Sequence, residues 1–156
     1  MIMKRIFIII VLTLFTYNYT NAQKQKELAR FYVTHAEQNG EDITPWASSE
    51  QIFSVFYEQD GILYLANYCQ KSKTQSWGAT WGHETQQIPE TSENYQTSIL
   101  YFNWNYQNSY DTRRGTCKAK LTMVAKPKGV VTYLHFITED LDEIEYVGYM
   151  DGTLNF

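Results

Sequence analysis

From Gln51 to its C-terminus the chain alternates apolar and polar residues at period two, interrupted by short turn signals. That pattern, rich in β-branched and aromatic residues, is the signature of half-buried strands and constrains the fold more than any other feature. The cleanest example is "TCKAKLTMVAK". There Cys117, Ala119, Leu121, Met123 and Ala125 face one way, while Lys118, Lys120 and Thr122 face the other. "QIFSVFYE" and "ILYLANYC" flank Gln59-Asp60-Gly61, a strong hairpin signal. "KTQSWGATWG" reads as a weaker strand with bends at Gly78 and Gly82. "HETQQIPETSEN" is polar and contains Pro89, and is expected to be a surface loop or frayed edge. "YQTSILYFNWNYQ", "VVTYLHFITE" and "IEYVGYM" complete the set, with Lys126-Pro127-Lys128-Gly129 as a turn between two of them.

Ahead of this region, "KQKELARFYVTHAEQNG" places Leu28, Phe31, Tyr32 and His35 at helical spacing and ends on Asn39-Gly40, a suitable helix stop. Glu41 to Glu50 then reads as a linker. The expectation is a mainly β fold, an antiparallel meander of about seven strands forming a barrel or curled sheet, preceded by one N-terminal helix. An α+β curved sheet packed on that helix is the alternative. A barrel removes exposed strand edges, and the size suits up-and-down barrels that carry small apolar ligands. Lipocalins are one such group by architecture, although none of their motifs occurs here.

Residues 1–22 read as a signal peptide: Lys4 and Arg5, then the apolar run Ile6 to Phe15, then Thr20-Asn21-Ala22 at the cleavage position. The run falls short of the roughly 20 residues a membrane helix needs. Residues 23–156 would then form a single β-rich domain that is periplasmic or secreted, with no membrane span after cleavage. The net charge is −4 and becomes more negative once Lys4 and Arg5 are removed. An acidic chain offers no field to attract nucleic acid, so no nucleic-acid partner is expected. In an oxidising compartment Cys69 and Cys117, the two cysteines present, are expected to form a disulfide.

Catalytic signals are sparse. No G-x-S-x-G elbow, HExxH or CxxC motif occurs, and His35, His83 and His135 are isolated in sequence. His83-Glu84 could donate one ligand and one carboxylate, but reads more simply as a polar loop start. "EDLDEIE" lacks the spaced calcium-loop pattern and reads as a solvated turn. Arg113-Arg114 reads as a charged hairpin tip. No catalytic residue, metal site or cofactor is assigned.

The aromatic content carries the functional reading: 13 Tyr, 8 Phe and 4 Trp. Within "LYFNWNYQ", Leu100, Phe102, Trp104 and Tyr106 share one face, whereas Tyr101, Asn103, Asn105 and Gln107 share the other. Phe102, Trp104 and Tyr106, with Tyr64 and Tyr68, are the candidate ligand-binding residues of an exported, non-catalytic carrier or sensor for a small hydrophobic or amphipathic molecule. The alternative is a protein- or glycan-interaction module using Tyr and Trp near Trp77 and Trp81. A hydrolase is the least favoured reading.

Overall fold

The computed structural model describes residues 25–155, and the expected signal peptide lies outside them. The chain forms β1 (Lys26–Gln38), β2 (Glu41–Asp42), a short helix α1 (Thr44–Glu50), and β3 (Ile52–Gln59). β4 (Ile62–Cys69), β5 (Thr74–Ile88), β6 (Thr97–Asn108), β7 (Arg114–Lys126), β8 (Gly129–Thr138) and β9 (Glu143–Gly152) follow. Each strand from β3 to β9 pairs antiparallel with the next, and β1 pairs with both β3 and β9. An eight-stranded barrel is thereby closed, with β2 as an extra strand on β1. Closure pairs the two end strands that an open meander would leave exposed. Among the described residues no helix is long and apolar enough to cross a membrane.

The expected N-terminal helix is a strand. Ala29, Phe31 and Val33 follow period two, and then a bulge between Val33 and His35 shifts the phase, so that Ala36 is buried. The extra bulge residue breaks the alternation and leaves the three- and four-residue spacings that resemble a helix. This strand raises the expected seven to eight barrel strands. The expected linker contains β2 and α1, and part of the expected polar loop is the exposed outer half of β5, paired with β6 as far as Ile88↔Thr97.

Inward-facing residues form one core that includes Phe31, Phe56, Leu65, Leu121 and Leu134, all fully buried. Phe56 meets Phe102 edge-on at 6.1 Å. Outward-facing Val55, Tyr57 and Ala66 form a second cluster with Phe53, Tyr64, Tyr68 and Trp77. Two glycines let the wall bend sharply. A Cβ on Gly78 would lie 1.6 Å from the Asn105 carbonyl oxygen, and one on Gly148 would lie 1.8 Å from that of Tyr32. No side chain fits at either point, and Gly marks such close backbone approaches in curved sheets.

Two short turns and the longer 89–96 segment between β5 and β6 lie at one end of the barrel. Asp60 and Gly61, both at positive φ, join β3 to β4, and Pro127-Lys128 joins β7 to β8. At the other end lie α1 and the segments 70–73, 109–113 and 139–142. This second end is open.

Candidate functional site

The open end leads into a cavity of about 620 Å³. Its floor and walls are aromatic and aliphatic: Trp104, Tyr106, Phe136, Tyr146, Ile52 and Ile144. The floor rings touch in sequence around the barrel. Trp104 lies 5.4 Å from Tyr106 and 5.4 Å from Phe136, tilted by about 40° to each, and Phe136 meets Tyr146 edge-on at 6.1 Å. Tilted and edge-on contacts are the favourable geometries for aromatic quadrupoles. The Trp104 indole N–H donates to the Leu65 carbonyl at 3.1 Å, which fixes the ring across β5. Burial pushes the Tyr146 hydroxyl well above the ordinary tyrosine range, and that of Tyr106 upward as well. Both phenols are therefore neutral near pH 7.

Above the floor lie uncharged polar groups. Ser76 Oγ donates to Asn108 Oδ1 at 2.6 Å, and Ser54 Oγ donates to Asn67 Oδ1 at 2.7 Å. Asn67, Ser76 and Asn108 all line the cavity. Trp46 of α1 and Tyr110 of the β6–β7 loop stand at the rim, 49% and 62% exposed. Glu50, Arg113 and Asp142 are the charged lining residues.

Helix α1 is tied down at both ends and forms a fixed side of the mouth. At its start Thr44 Oγ1 accepts from the Ala36 N–H at 3.0 Å and sits 2.8 Å from His35 Nδ1, while Asp42 Oδ1 accepts from the Thr44 N–H at 2.8 Å. At its end the Glu50 carbonyl accepts from the Lys71 N–H at 3.1 Å, and Glu50 Oε2 accepts from the Ser72 N–H at 3.2 Å. Pro45 in the first turn and Gln51 in the left-handed conformation bound this short helix.

Trp104 and Tyr106 line the cavity. Phe102 points inward but lies deeper, in the packed core. Tyr64 and Tyr68 are on the outer face, where Tyr64 stacks on Tyr57 at 5.2 Å and Tyr68 on Phe53 at 5.0 Å. Sequence reasoning missed Trp46, Tyr110, Phe136 and Tyr146. Alternation in "IEYVGYM" does place Ile144, Tyr146, Gly148 and Met150 on one face, but the height of Tyr146 beside Trp104 follows from register around the whole barrel.

The expected disulfide is absent: Cys69 and Cys117 are free thiols. Both line the cavity, but from β4 and β7, with two strands between them. At roughly 4.8 Å per strand that separation runs to roughly 14 Å along the wall. A disulfide needs Cα atoms within about 7 Å. Burial pushes the Cys117 thiol up to about 12, so it stays protonated and unreactive at neutral pH.

The remaining polar candidates are occupied locally. His83 Nε2 lies 2.8 Å from Thr80 Oγ1, and burial lowers its pKa. His135 lies on the outer surface, 3.7 Å from Glu143. Arg113 pairs with Asp140 at 2.7 Å across the mouth loops. Among the described residues no group of three or more His, Cys, Asp or Glu side chains is arranged to hold a metal ion. In comparison with known proteins, the chain matches no family model, no curated protein and no solved structure.

Proposed function

We propose that this protein is an exported, non-catalytic carrier or sensor that holds a small hydrophobic or amphipathic molecule in the mouth of its barrel. The observation that carries this reading is the cavity of about 620 Å³ above the Trp104, Tyr106, Phe136 and Tyr146 floor. Sites for small organic ligands are typically about 300–1,000 Å³, mostly apolar, with a few polar groups that fix orientation. The cavity meets each condition. The polar Asn67, Ser76 and Asn108 level would orient a ligand whose body lies on the rings below. Export to the periplasm or beyond rests on the N-terminal pattern of Lys4 to Ala22.

Titration with Nile red, a neutral probe that brightens in apolar surroundings, tests this reading. The wild-type protein is expected to bind the dye and shift its emission to the blue. Cys69→Trp, which fills part of the mouth, is expected to abolish the shift while circular dichroism shows an intact barrel. Absence of binding, or equal binding by Cys69→Trp, would overturn the proposal.

A second reading has its own observation. The stacked Phe53–Tyr68 and Tyr57–Tyr64 pairs extend an aromatic band across the outside of β3 and β4 towards Trp77, with Arg30 over the Phe53 ring at 5.0 Å. Such a band suits contact with a protein or glycan. Dye binding insensitive to Cys69→Trp would favour it.

A further inference from the structure

We infer that the ligand of this cavity is an organic cation, an amine or quaternary ammonium group carried on an apolar body, and that carboxylate amphiphiles are rejected. The inference rests on the cavity reading above and adds the charge of the ligand.

The first argument is the charge of the lining. Among the described residues Arg113 is the cavity's single cationic side chain, against Glu50 and Asp142. Its guanidinium is already paired with Asp140 at 2.7 Å, and its backbone N–H with Asp111 Oδ1 at 2.9 Å. A ligand carboxylate at Arg113 would share the guanidinium with Asp140, whose charge already offsets it. Taking an unpaired ion out of water is strongly unfavourable. The interior polar groups are amides and hydroxyls, which carry no compensating charge. The Tyr106 and Tyr146 hydroxyls also stay neutral.

The second argument is the aromatic wall. Six rings surround the space: Trp46, Trp104, Tyr106, Tyr110, Phe136 and Tyr146. Ring faces carry negative quadrupole density, which attracts a cation and repels an anion. The rim repeats this preference with full charges. Glu50 presents its carboxylate from the end of α1, and Asp142 from the β8–β9 turn. Glu50 Oε2 accepts from the Ser72 N–H at 3.2 Å, and Asp142 Oδ1 accepts from the Asn39 side-chain amide at 3.1 Å. The segments 70–73, 109–113 and 139–142, with Glu50 and Arg114 beside them, carry Lys71, Lys73, Arg113 and Arg114 against Glu50, Asp111, Glu139, Asp140 and Asp142. An apolar body on the floor rings would leave an ammonium head towards the mouth, whose lining includes Trp46, Tyr110, Glu50 and Asp142.

Three probes with one body and different heads test the inference by calorimetry: (2-naphthylmethyl)trimethylammonium, 2-naphthylmethanol and 2-naphthylacetate. The cation is expected to bind tightest and the carboxylate weakest, with about tenfold or more between them. In the Glu50→Gln, Asp142→Asn double variant the advantage of the cation over the alcohol, both measured on that variant, is expected to shrink. A carboxylate or alcohol that binds as tightly as the cation overturns the inference and leaves the cavity reading standing. An unchanged cation advantage in the folded double variant does the same. If none of the three binds or displaces Nile red, the cavity reading itself fails.

Discussion

The two ends of this barrel are built from the same strands but by different chemistry. At the closed end, inward side chains from opposite walls meet, and Phe31, Phe56, Leu65, Leu121 and Leu134 retain no solvent exposure. At the open end, equivalent inward positions hold Ile52, Cys69, Ser76, Asn108, Thr138 and Ile144, which line the cavity rather than fill it. Polar bonds to α1 and the loops hold that end in place. Close packing and open space are thus separated along the barrel axis. Under the proposed function, substitution in the packed half should cost fold, and substitution in the open half should cost binding.

Paired truncations give the sharpest break of that contrast. Phe56→Ala removes a fully buried ring from the packed half and is expected to destabilise by about 3–5 kcal/mol. Ile144→Ala trims a partly exposed side chain beside an existing space, and is expected to cost about 1–2 kcal/mol, below the usual range for buried Ile→Ala, because less contact is lost. Urea unfolding of both variants measures the difference. Equal costs would show that the mouth is as tightly packed as the closed end in solution.

The same contrast explains how far the sequence can be read. β6 and β7 are legible because their alternation runs unbroken through Phe102-Asn103-Trp104 and Ala119-Lys120-Leu121, so each residue's face follows from parity. β1 is not, because the bulge at Val33/His35 changes parity midway, and closure by β1 against β9 is a long-range fact with no local signature. The cavity is still less legible. Parity says that Trp104 points inward, but not that Phe136 and Tyr146 stand at the same height on other walls. Tyr64 and Tyr68 illustrate the limit from the other side. "ILYLANYC" is apolar on both faces, and only the three-dimensional wall decides that Leu65 is core and Tyr64 is not. Compartment logic for Cys69 and Cys117 fails for a similar reason, since it carries no information about which walls they occupy.

Among the described residues the closed end has one polar flaw, and removing it sharpens the comparison by a smaller amount. Thr132 Oγ1 on β8 is buried with no hydrogen-bond partner. A buried hydroxyl without a partner is a net cost, and a methyl group of similar shape relieves it. Thr132→Val is expected to raise stability by about 1 kcal/mol and leave Nile red binding unchanged, as read from the urea midpoint and a dye titration. A loss of stability would mean that the hydroxyl finds water, and that the closed end is less dry than the packing implies.

The smallest expected effect concerns the polar ties of the open end. His35 Nε2 lies 3.0 Å from Glu37 Oε1 and Nδ1 lies 2.8 Å from Thr44 Oγ1, at the start of α1. The hydrogen bond to Glu37, with Asp42 and Glu145 adding attraction, raises the His35 pKa above its ordinary value of 6.5. A raised folded-state pKa means that the stabilisation is fully present below the unfolded value and is lost as pH rises through the folded one. The group is solvent-exposed, so the effect on melting temperature is small. Loss of charge also leaves the Thr44 contact available, because a neutral Nδ1 can accept from the hydroxyl that a charged one donates to. Glu37→Gln is therefore expected to lower the melting temperature slightly between about pH 5 and 6, with the difference from wild type fading by about pH 8. NMR titration of the His35 ring should show its midpoint moving down towards 6.5 in the same variant. A difference that grows with pH would have the wrong sign for this pair, and would place the source of the mouth's stability outside the His35–Glu37 contact.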